Sequence, residues 1–162
     1  AIGIAITTFV GQNYGAGKMD RVKRSIKVGL GMDIVLSIVM ATLLIVARVP
    51  LFRFFCDDAA VVEIGARMLY VIAPFYVAYV FTEILSGALR GMGDVVIPML
   101  ITTVAVCVLR VLWIIVVTGI YPSMDAVIFN YPVTWVASGL LFIFYYKYRI
   151  KKIDAMFAKK EL

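Results

Sequence analysis

Residues 126–146, AVIFNYPVTWVASGLLFIFYY, form a run of twenty-one residues without one charged side chain. A helix of about 20 apolar residues is long enough to cross the roughly 30 Å hydrocarbon core of a bilayer. Three further runs are nearly as apolar and contain one charge each: residues 28–47, 68–88 and 95–124. The sequence therefore predicts four membrane-spanning helices.

The composition of the whole chain agrees with this prediction. The chain has 162 residues, of which 64% are hydrophobic and 16% charged, and its mean hydropathy is +1.01. Soluble domains carry about 25% charged residues, so soluble enzymes and nucleic-acid-binding modules are disfavoured. The chain has no His, and its two cysteines have no metal-site spacing. We therefore expect an all-α polytopic transmembrane bundle with no catalytic residue, no metal site and no cofactor.

The helix boundaries follow from charges, prolines and possible caps. Residues 1–14 are apolar but would rise only about 21 Å as a helix, so we interpret them as the second half of a span in a fragment of a larger protein. Arg48 and Pro50 are expected to end the next helix, and Asp57 or Asp58 to cap the one after it. The predicted helices are 1–14, 25–48, 59–89, 95–119 and 126–147.

Lysine and arginine divide unevenly between the two ends of these helices. Twelve of the sixteen flank one end, at residues 15–27 and 89–94 and after residue 146, whereas three flank the other end. The positive-inside rule then places the first group and the C-terminus in the cytoplasm. We expect the tail, residues 148–162, to be an amphipathic helix on the anionic leaflet, because Ile150, Ile153 and Phe157 share one face among lysines.

Two prolines and three ionisable residues interrupt the apolar runs. Pro74 and Pro132 should bend their helices, either as flexible points or as static kinks. Asp33, Glu83 and Arg110 are costly if they face lipid, so they should face protein or water.

Several roles are open for these three charges. Asp33 and Glu83 lie at similar depth, and a low dielectric disfavours the charged form of a carboxyl group, so they are candidates to bind a coupling Na⁺ or H⁺. The alternative is that they reach water or pair with Arg24 or Arg90. Arg110 is expected to pair with a carboxylate; the alternatives are an anchor that closes the helix bundle and a contact with substrate.

Aromatic residues and glycines add two further signals. Tyr76 and Tyr79 could stack on flat or cationic ligands in a cavity, or they could face lipid. Two G-x-x-x-G pairs, at residues 11–15 and 87–91, allow close approach of helices. We expect Gly91 to lie already in the loop that follows its helix.

Three segments together resemble one family. Residues 8–18, TFVGQNYGAGK, contain Gly11, Gln12, Asn13 and Gly15; residues 86–94, SGALRGMGD, contain Leu89, Arg90, Gly91, Gly93 and Asp94; and residues 131–135 read YPVTW. In this order and spacing they are similar to the C-terminal half of MATE (multidrug and toxic compound extrusion) transporters.

The resemblance implies a fold of twelve helices in two lobes, with residues 1–147 as a partial C-terminal lobe from the end of helix eight to helix twelve. It implies export of drugs or organic cations in exchange for Na⁺ or H⁺ by alternating access. The implied partners are membrane lipid, an N-terminal lobe of the same protein and an amphipathic or cationic small molecule, with no nucleic acid. The fragment alone is expected to be inactive.

One departure from the family pattern concerns helix ten. Some members carry an essential Asp at about the position of Tyr79, whereas Glu83 lies one turn nearer the predicted cytoplasmic side in this sequence. The Asp-based site therefore does not transfer directly.

The sequence leaves two alternative functions open: a flippase for lipid-linked saccharides in the same superfamily, and a non-transporting membrane assembly protein.

Overall fold

The computed structural model describes residues 2–158, whose regular secondary structure is entirely helical with no strand among them. The helices are α1 (Ile2–Gly15), α2 (Met19–Phe55), α3 (Ala59–Ile72), α4 (Tyr76–Gly91), α5 (Val96–Thr102), α6 (Leu109–Ile120) and α7 (Met124–Ala158). A 3₁₀ turn, Ala73–Phe75, joins α3 to α4, and a π-helical segment, Thr103–Val108, joins α5 to α6.

Four stretches of this chain are long and apolar enough to cross a membrane: Met19–Phe55, Ala59–Gly91, Val96–Ile120 and Met124–Met156. The prediction of four spans in an all-α bundle is thus confirmed. Asp58 caps α3, since its side chain accepts a hydrogen bond of 2.9 Å from the Ala60 N–H. Helix α6 ends at Ile120, directly before Tyr121 and Pro122, as expected for a residue that precedes proline.

The predicted end of the second helix is wrong, because α2 continues through Pro50 to Phe55. Two contacts account for this continuation. Arg48 Nη1 donates a hydrogen bond of 2.6 Å to the Ile45 carbonyl, in the turn before the proline. The Phe52 ring lies against Gly65 of α3, where a Cβ atom would come within 2.4 Å of it. Tertiary packing on α3 therefore offsets the cost of an internal proline.

Helix α4 lies between α1, α2 and α7 and forms the centre of the bundle. Its contact with α1 depends on glycine. A Cβ atom added at position 87 would lie 2.7 Å from the Gly3 carbonyl oxygen, and one added at position 91 would lie 2.5 Å from the Thr7 carbonyl oxygen. Gly91 is the last residue of α4, so the prediction that it lies in the following loop was wrong. In the first G-x-x-x-G pair, Gly11 contacts Gly91, whereas Gly15 has open space around it.

The two glycine-rich motifs form the same kind of helix cap. Gly17 and Gly93 have positive φ angles of 72° and 83°. Asp94 N–H donates to the Leu89 carbonyl and Gly93 N–H to the Arg90 carbonyl, and the corresponding pair of bonds ends α1 at Lys18 and Gly17. This is the Schellman motif, in which a left-handed residue lets the chain turn away while the last carbonyls stay bonded.

One end of the bundle carries both caps and the C-terminal half of α7, and we call it the basic end. Arg149 Nε lies 3.1 Å from Asp94 Oδ2, and the Tyr145 hydroxyl donates to the same oxygen. Lys23 Nζ lies 2.7 Å from Asp154 Oδ2. These contacts join α2, α4 and α7 at the end where the sequence concentrates its positive charge.

The C-terminal tail differs from its prediction in two respects. Helix α7 is one helix from Met124 to Ala158, with no separate tail helix after residue 147. Ile153 is fully buried in the protein core together with Val22 and Phe142, rather than placed on the outside of the bundle. The side chain of Phe157 and residues 159–162 lie outside the described part of the chain. The position of the tail on a membrane surface stays a prediction.

Candidate functional site

A cavity of about 390 Å³ opens between α1, α2 and α4, and we call it the carboxylate cavity. Asp33 and Ser37 line it from α2, and Tyr76, Tyr79 and Glu83 line it from α4. The remaining lining residues are Ile2, Gly3, Leu36, Met40 and Val80. Four of the five sequence-predicted ion and substrate residues thus meet in one cavity.

Two carboxyl groups from different helices line this cavity. Asp33 and Glu83 are both partly exposed, and neither forms an ion pair within the described residues. The expected alternatives, a pair with Arg24 or with Arg90, are therefore not what the structure adopts. Two acidic side chains from different helices that line one cavity are the usual ligand type for a small hard cation or for protons.

Gly3 determines where Glu83 lies. A Cβ atom at position 3 would come within 2.4 Å of Glu83 Oε1, so the carboxylate lies directly on the α1 backbone. Gly87, one turn further along α4, contacts the same Gly3 carbonyl. The close crossing of α1 and α4 therefore places the Glu83 carboxylate at the edge of the cavity. The sequence contains both glycines, but their pairing depends on how the two helices cross.

An aromatic cluster, formed by Tyr76, Tyr79, Tyr131 and Trp135, continues from the cavity towards α7. The Trp135 ring centroid lies 5.5 Å from that of Tyr76, 5.6 Å from that of Tyr79 and 5.9 Å from that of Tyr131. Such tilted and edge-on pairs are favourable arrangements for aromatic rings. Trp135 belongs to the third motif, and sequence reasoning did not include it as a site residue, although it was the aromatic residue of that motif one turn after Pro132.

Arg110 contacts this cluster but not the carboxylate cavity. Its guanidinium carbon lies 4.5 Å from the Tyr131 ring centroid, and its Nη2 donates a hydrogen bond of 3.2 Å to Thr134 Oγ1. The prediction of a carboxylate partner for Arg110 is therefore wrong among the residues described. A π-face and a hydroxyl replace the carboxylate, and both are contributed by α7 near Pro132.

Two buried polar atoms, one on Arg110 and one on Asn130, have no hydrogen-bond partner among the described residues. They are Arg110 Nε and Asn130 Oδ1, a donor and an acceptor, and Asn130 is 1% exposed. Asn130 Nδ2 donates a hydrogen bond of 3.3 Å to the Arg110 carbonyl, so the two residues are already in contact. The π-helical segment ends at Val108, directly before this site, and π-helical turns are frequent at functional sites.

The two interrupting prolines behave differently. Pro74 lies in the 3₁₀ turn that separates α3 from α4, whereas Pro132 lies inside the continuous helix α7. On the C-terminal side of Pro132, a buried hydrogen bond of 2.8 Å between Thr82 and Ser138 joins α7 to α4. The α-helix is therefore interrupted at Pro74 but continues through Pro132.

Comparison with known proteins agrees with the motifs. The MatE family model matches residues 1–116. The chain is 27% identical over 154 residues to the probable multidrug resistance protein YoeA of Bacillus subtilis, covering 94% of this chain and 33% of that protein. It is 29% identical over 109 residues to the probable multidrug resistance protein NorM of Thermotoga maritima, covering 67% of this chain and 24% of that protein.

Solved structures show the same fold. An inward-facing multidrug resistance MATE family transporter superimposes with a TM-score of 0.85 at 12% identity, covering 94% of this chain and 36% of that one. A point mutant of the Vibrio cholerae MATE transporter VcmN gives 0.82 at 11% identity, covering 93% and 34%. The chain spans about a third of the length of these proteins. Because the family model covers well over half of the chain, the chain belongs to the MatE family.

Proposed function

We propose that this chain forms part of the C-terminal lobe of a secondary active antiporter that exports amphipathic or cationic drugs in exchange for Na⁺ or H⁺. The observation that carries the proposal is the carboxylate cavity, which Asp33 and Glu83 line together without an ion pair among the described residues. The names of the relatives, which are multidrug resistance proteins, support it.

The two carboxylates bind the coupling ion, with Glu83 as the principal ligand. Glu83 lies against the α1 backbone at Gly3, so occupation of the carboxylate by Na⁺ or a proton changes the charge at the α1–α4 contact. A change of charge at a helix contact is the kind of local event that can shift a bundle between two arrangements. The aromatic cluster beside the cavity offers π-faces for a flat or cationic substrate.

The active transporter contains an N-terminal lobe in addition to this chain, with the substrate path between the lobes. The protein lies in the plasma membrane as a multi-pass protein, with the basic end and the C-terminus in the cytoplasm. The positive-inside distribution supports this orientation. No catalytic residue or resident cofactor is required for the proposed activity.

The test is ion-driven efflux by the whole transporter that contains residues 1–162. Ethidium efflux is measured in cells or vesicles with an imposed Na⁺ or H⁺ gradient, and drug resistance is measured across a panel. Glu83→Gln is expected to reduce gradient-driven efflux at least tenfold, because the neutral amide cannot exchange a proton and binds a cation weakly. Glu63→Gln is the matched control, since Glu63 is exposed on α3 and does not line the carboxylate cavity.

The two parts of the proposal fail differently. Unchanged efflux and resistance on expression of the unaltered transporter would contradict the multidrug function. Wild-type coupling in the Glu83→Gln variant would contradict only the role of Glu83, and the same measurement on Asp33→Asn would then show whether Asp33 takes that role.

A further inference from the structure

A second cavity, of about 470 Å³, lies on the outside of the bundle between α1 and α2, and we call it the α1–α2 groove. Its walls are apolar side chains, with Ile2, Ala5, Ile6 and Phe9 on α1 and Val28 and Met32 on α2. Gly29 forms its floor, where the absence of a side chain lets Ile6 pack against the α2 backbone. The groove is separate from the carboxylate cavity, although Ile2 borders both.

Positive charge is confined to one end of this groove. Arg21 and Arg24 line it at the basic end, beside Ser25. Both arginines are exposed, and within the described residues neither forms an ion pair. Lys23, on the opposite side of the same helical turn, pairs with Asp154 of α7. Of these three cations, Lys23 therefore stabilises the bundle, whereas Arg21 and Arg24 remain available at one end of an apolar groove.

The arginines lie at the polar start of α2, beyond its apolar run. This run, residues 28–47, is centred between residues 37 and 38, and from there α2 rises about 20 Å to Arg24 and about 25 Å to Arg21. Half of a bilayer with its headgroups is about 20–22 Å, so the arginines lie at the headgroup level when the four spans are placed in a bilayer. Phe9, Val28 and Met32 remain about half exposed at the depth of the acyl chains.

We propose that the α1–α2 groove is a binding site for one anionic phospholipid. The phosphate lies between the Arg21 and Arg24 guanidinium groups, which suit the planar, paired hydrogen bonding of phosphate oxygens. One acyl chain lies along Ala5, Phe9 and Val28. The site needs no ion gradient or transported substrate, so it is independent of the proposed antiport activity.

The charge test uses the full-length protein purified in detergent and native mass spectrometry of retained lipid. Phosphatidylglycerol and phosphatidylcholine with the same acyl chains are added separately. A cation near an anionic surface contributes about a fivefold factor in affinity, so R21Q/R24Q is expected to weaken phosphatidylglycerol retention about 25-fold. The control K151Q/K152Q removes two exposed charges at the same end of the bundle but outside the groove.

The outcomes of the charge test are distinct. Loss of retention in R21Q/R24Q, with retention preserved in K151Q/K152Q, supports the site. Equal loss in both variants would overturn it, because the attraction would then be a general property of the basic end. Equal retention of the two lipids by the unaltered protein would also overturn it.

A second experiment tests the apolar part without a change of charge. A photoreactive phenylalanine analogue replaces Val28, and the cross-linked product is identified after irradiation in native membranes. A phospholipid adduct that is lost in the Ala5→Phe variant, in which a ring fills the groove, supports the proposal. Cross-linking to another protein segment or to a second copy would overturn it, since the groove would then be covered by protein.

Discussion

The half of the bundle near the basic end, which we call the basic half, and the half beyond Glu83, which we call the far half, differ in how their helices pack. In the basic half, Val10, Val22, Leu89, Phe142 and Ile153 are completely buried, and helices contact each other backbone to backbone at glycines. In the far half, α6 has no buried residue among those described, and the helices are interrupted by a 3₁₀ turn and a π-helical segment. Tight packing leaves few alternative arrangements, whereas interrupted helices around polar atoms leave room for a ligand and for movement.

The largest expected effect tests the glycine contact in the basic half. Gly91→Val should destabilise the protein by about 3 kcal/mol or more, because its Cβ atom would lie 2.5 Å from the rigid Thr7 carbonyl oxygen. The measurement is the midpoint of thermal unfolding in detergent, together with the monodisperse fraction on gel filtration.

Gly31→Val is the control for this prediction, since no atom of another helix lies within 4 Å of the added Cβ position. Its melting temperature should equal or exceed that of the unaltered protein, because valine favours a helix more than glycine does. An equal loss in the two variants would remove the distinction between packed and open glycines.

An effect of intermediate size is expected at the cap of α4. Asp94→Asn removes the charge opposite Arg149 in an ion pair whose side chains are 11% and 25% exposed, and the expected loss is about 2 kcal/mol. Asp154→Asn breaks the Lys23 pair, whose side chains are 44% and 36% exposed, and should cost less than about 1 kcal/mol. Both are measured by thermal unfolding, and a reversed order would mean that solvent exposure does not govern the strength of these pairs.

The smallest effect is expected in the far half. Thr134→Val removes the hydroxyl that accepts the Arg110 Nη2 hydrogen bond, and interhelical hydrogen bonds in membrane proteins average about 0.6 kcal/mol. Thr42→Val, at an exposed hydroxyl bonded only within α2, should leave the melting temperature unchanged. A loss at Thr134 as large as that at Gly91 would contradict the comparison, because the far half would then be packed as tightly as the basic half.

Local sequence patterns predicted the features that depend on neighbouring residues. Apolar runs predicted the four spans, Asp58 the start of α3, and Pro122 the end of α6. The cap glycines were visible in the motifs as Gly17 and Gly93, although their shared Schellman geometry was not predicted. That geometry requires one left-handed residue, and glycine adopts it without a steric cost.

Predictions failed where a distant contact outweighed the local pattern. Pro50 is a reasonable end for a helix, but Phe52 packs on Gly65 and α2 continues. Arg110 was expected to pair with a carboxylate, but it contacts the ring of Tyr131 and the hydroxyl of Thr134, both on α7. In the tail, Ile153 has an amphipathic pattern that suits a lipid surface equally well, yet the core of the bundle buries it.

The sequence by itself determined the number of spans, the basic end and the family motifs, because these depend on composition and short spacing along the chain. Only the tertiary structure decided that Asp33, Tyr76, Tyr79 and Glu83 share a cavity while Arg110 lies outside it. The position of a residue along its helix sets its depth in the membrane. It does not set how each helix is rotated or how it crosses its neighbours. The close crossing of α1 and α4 at Gly87 and Gly91 places Glu83 at the edge of the cavity. The packing of α2 on both of these helices brings Asp33 to the same cavity.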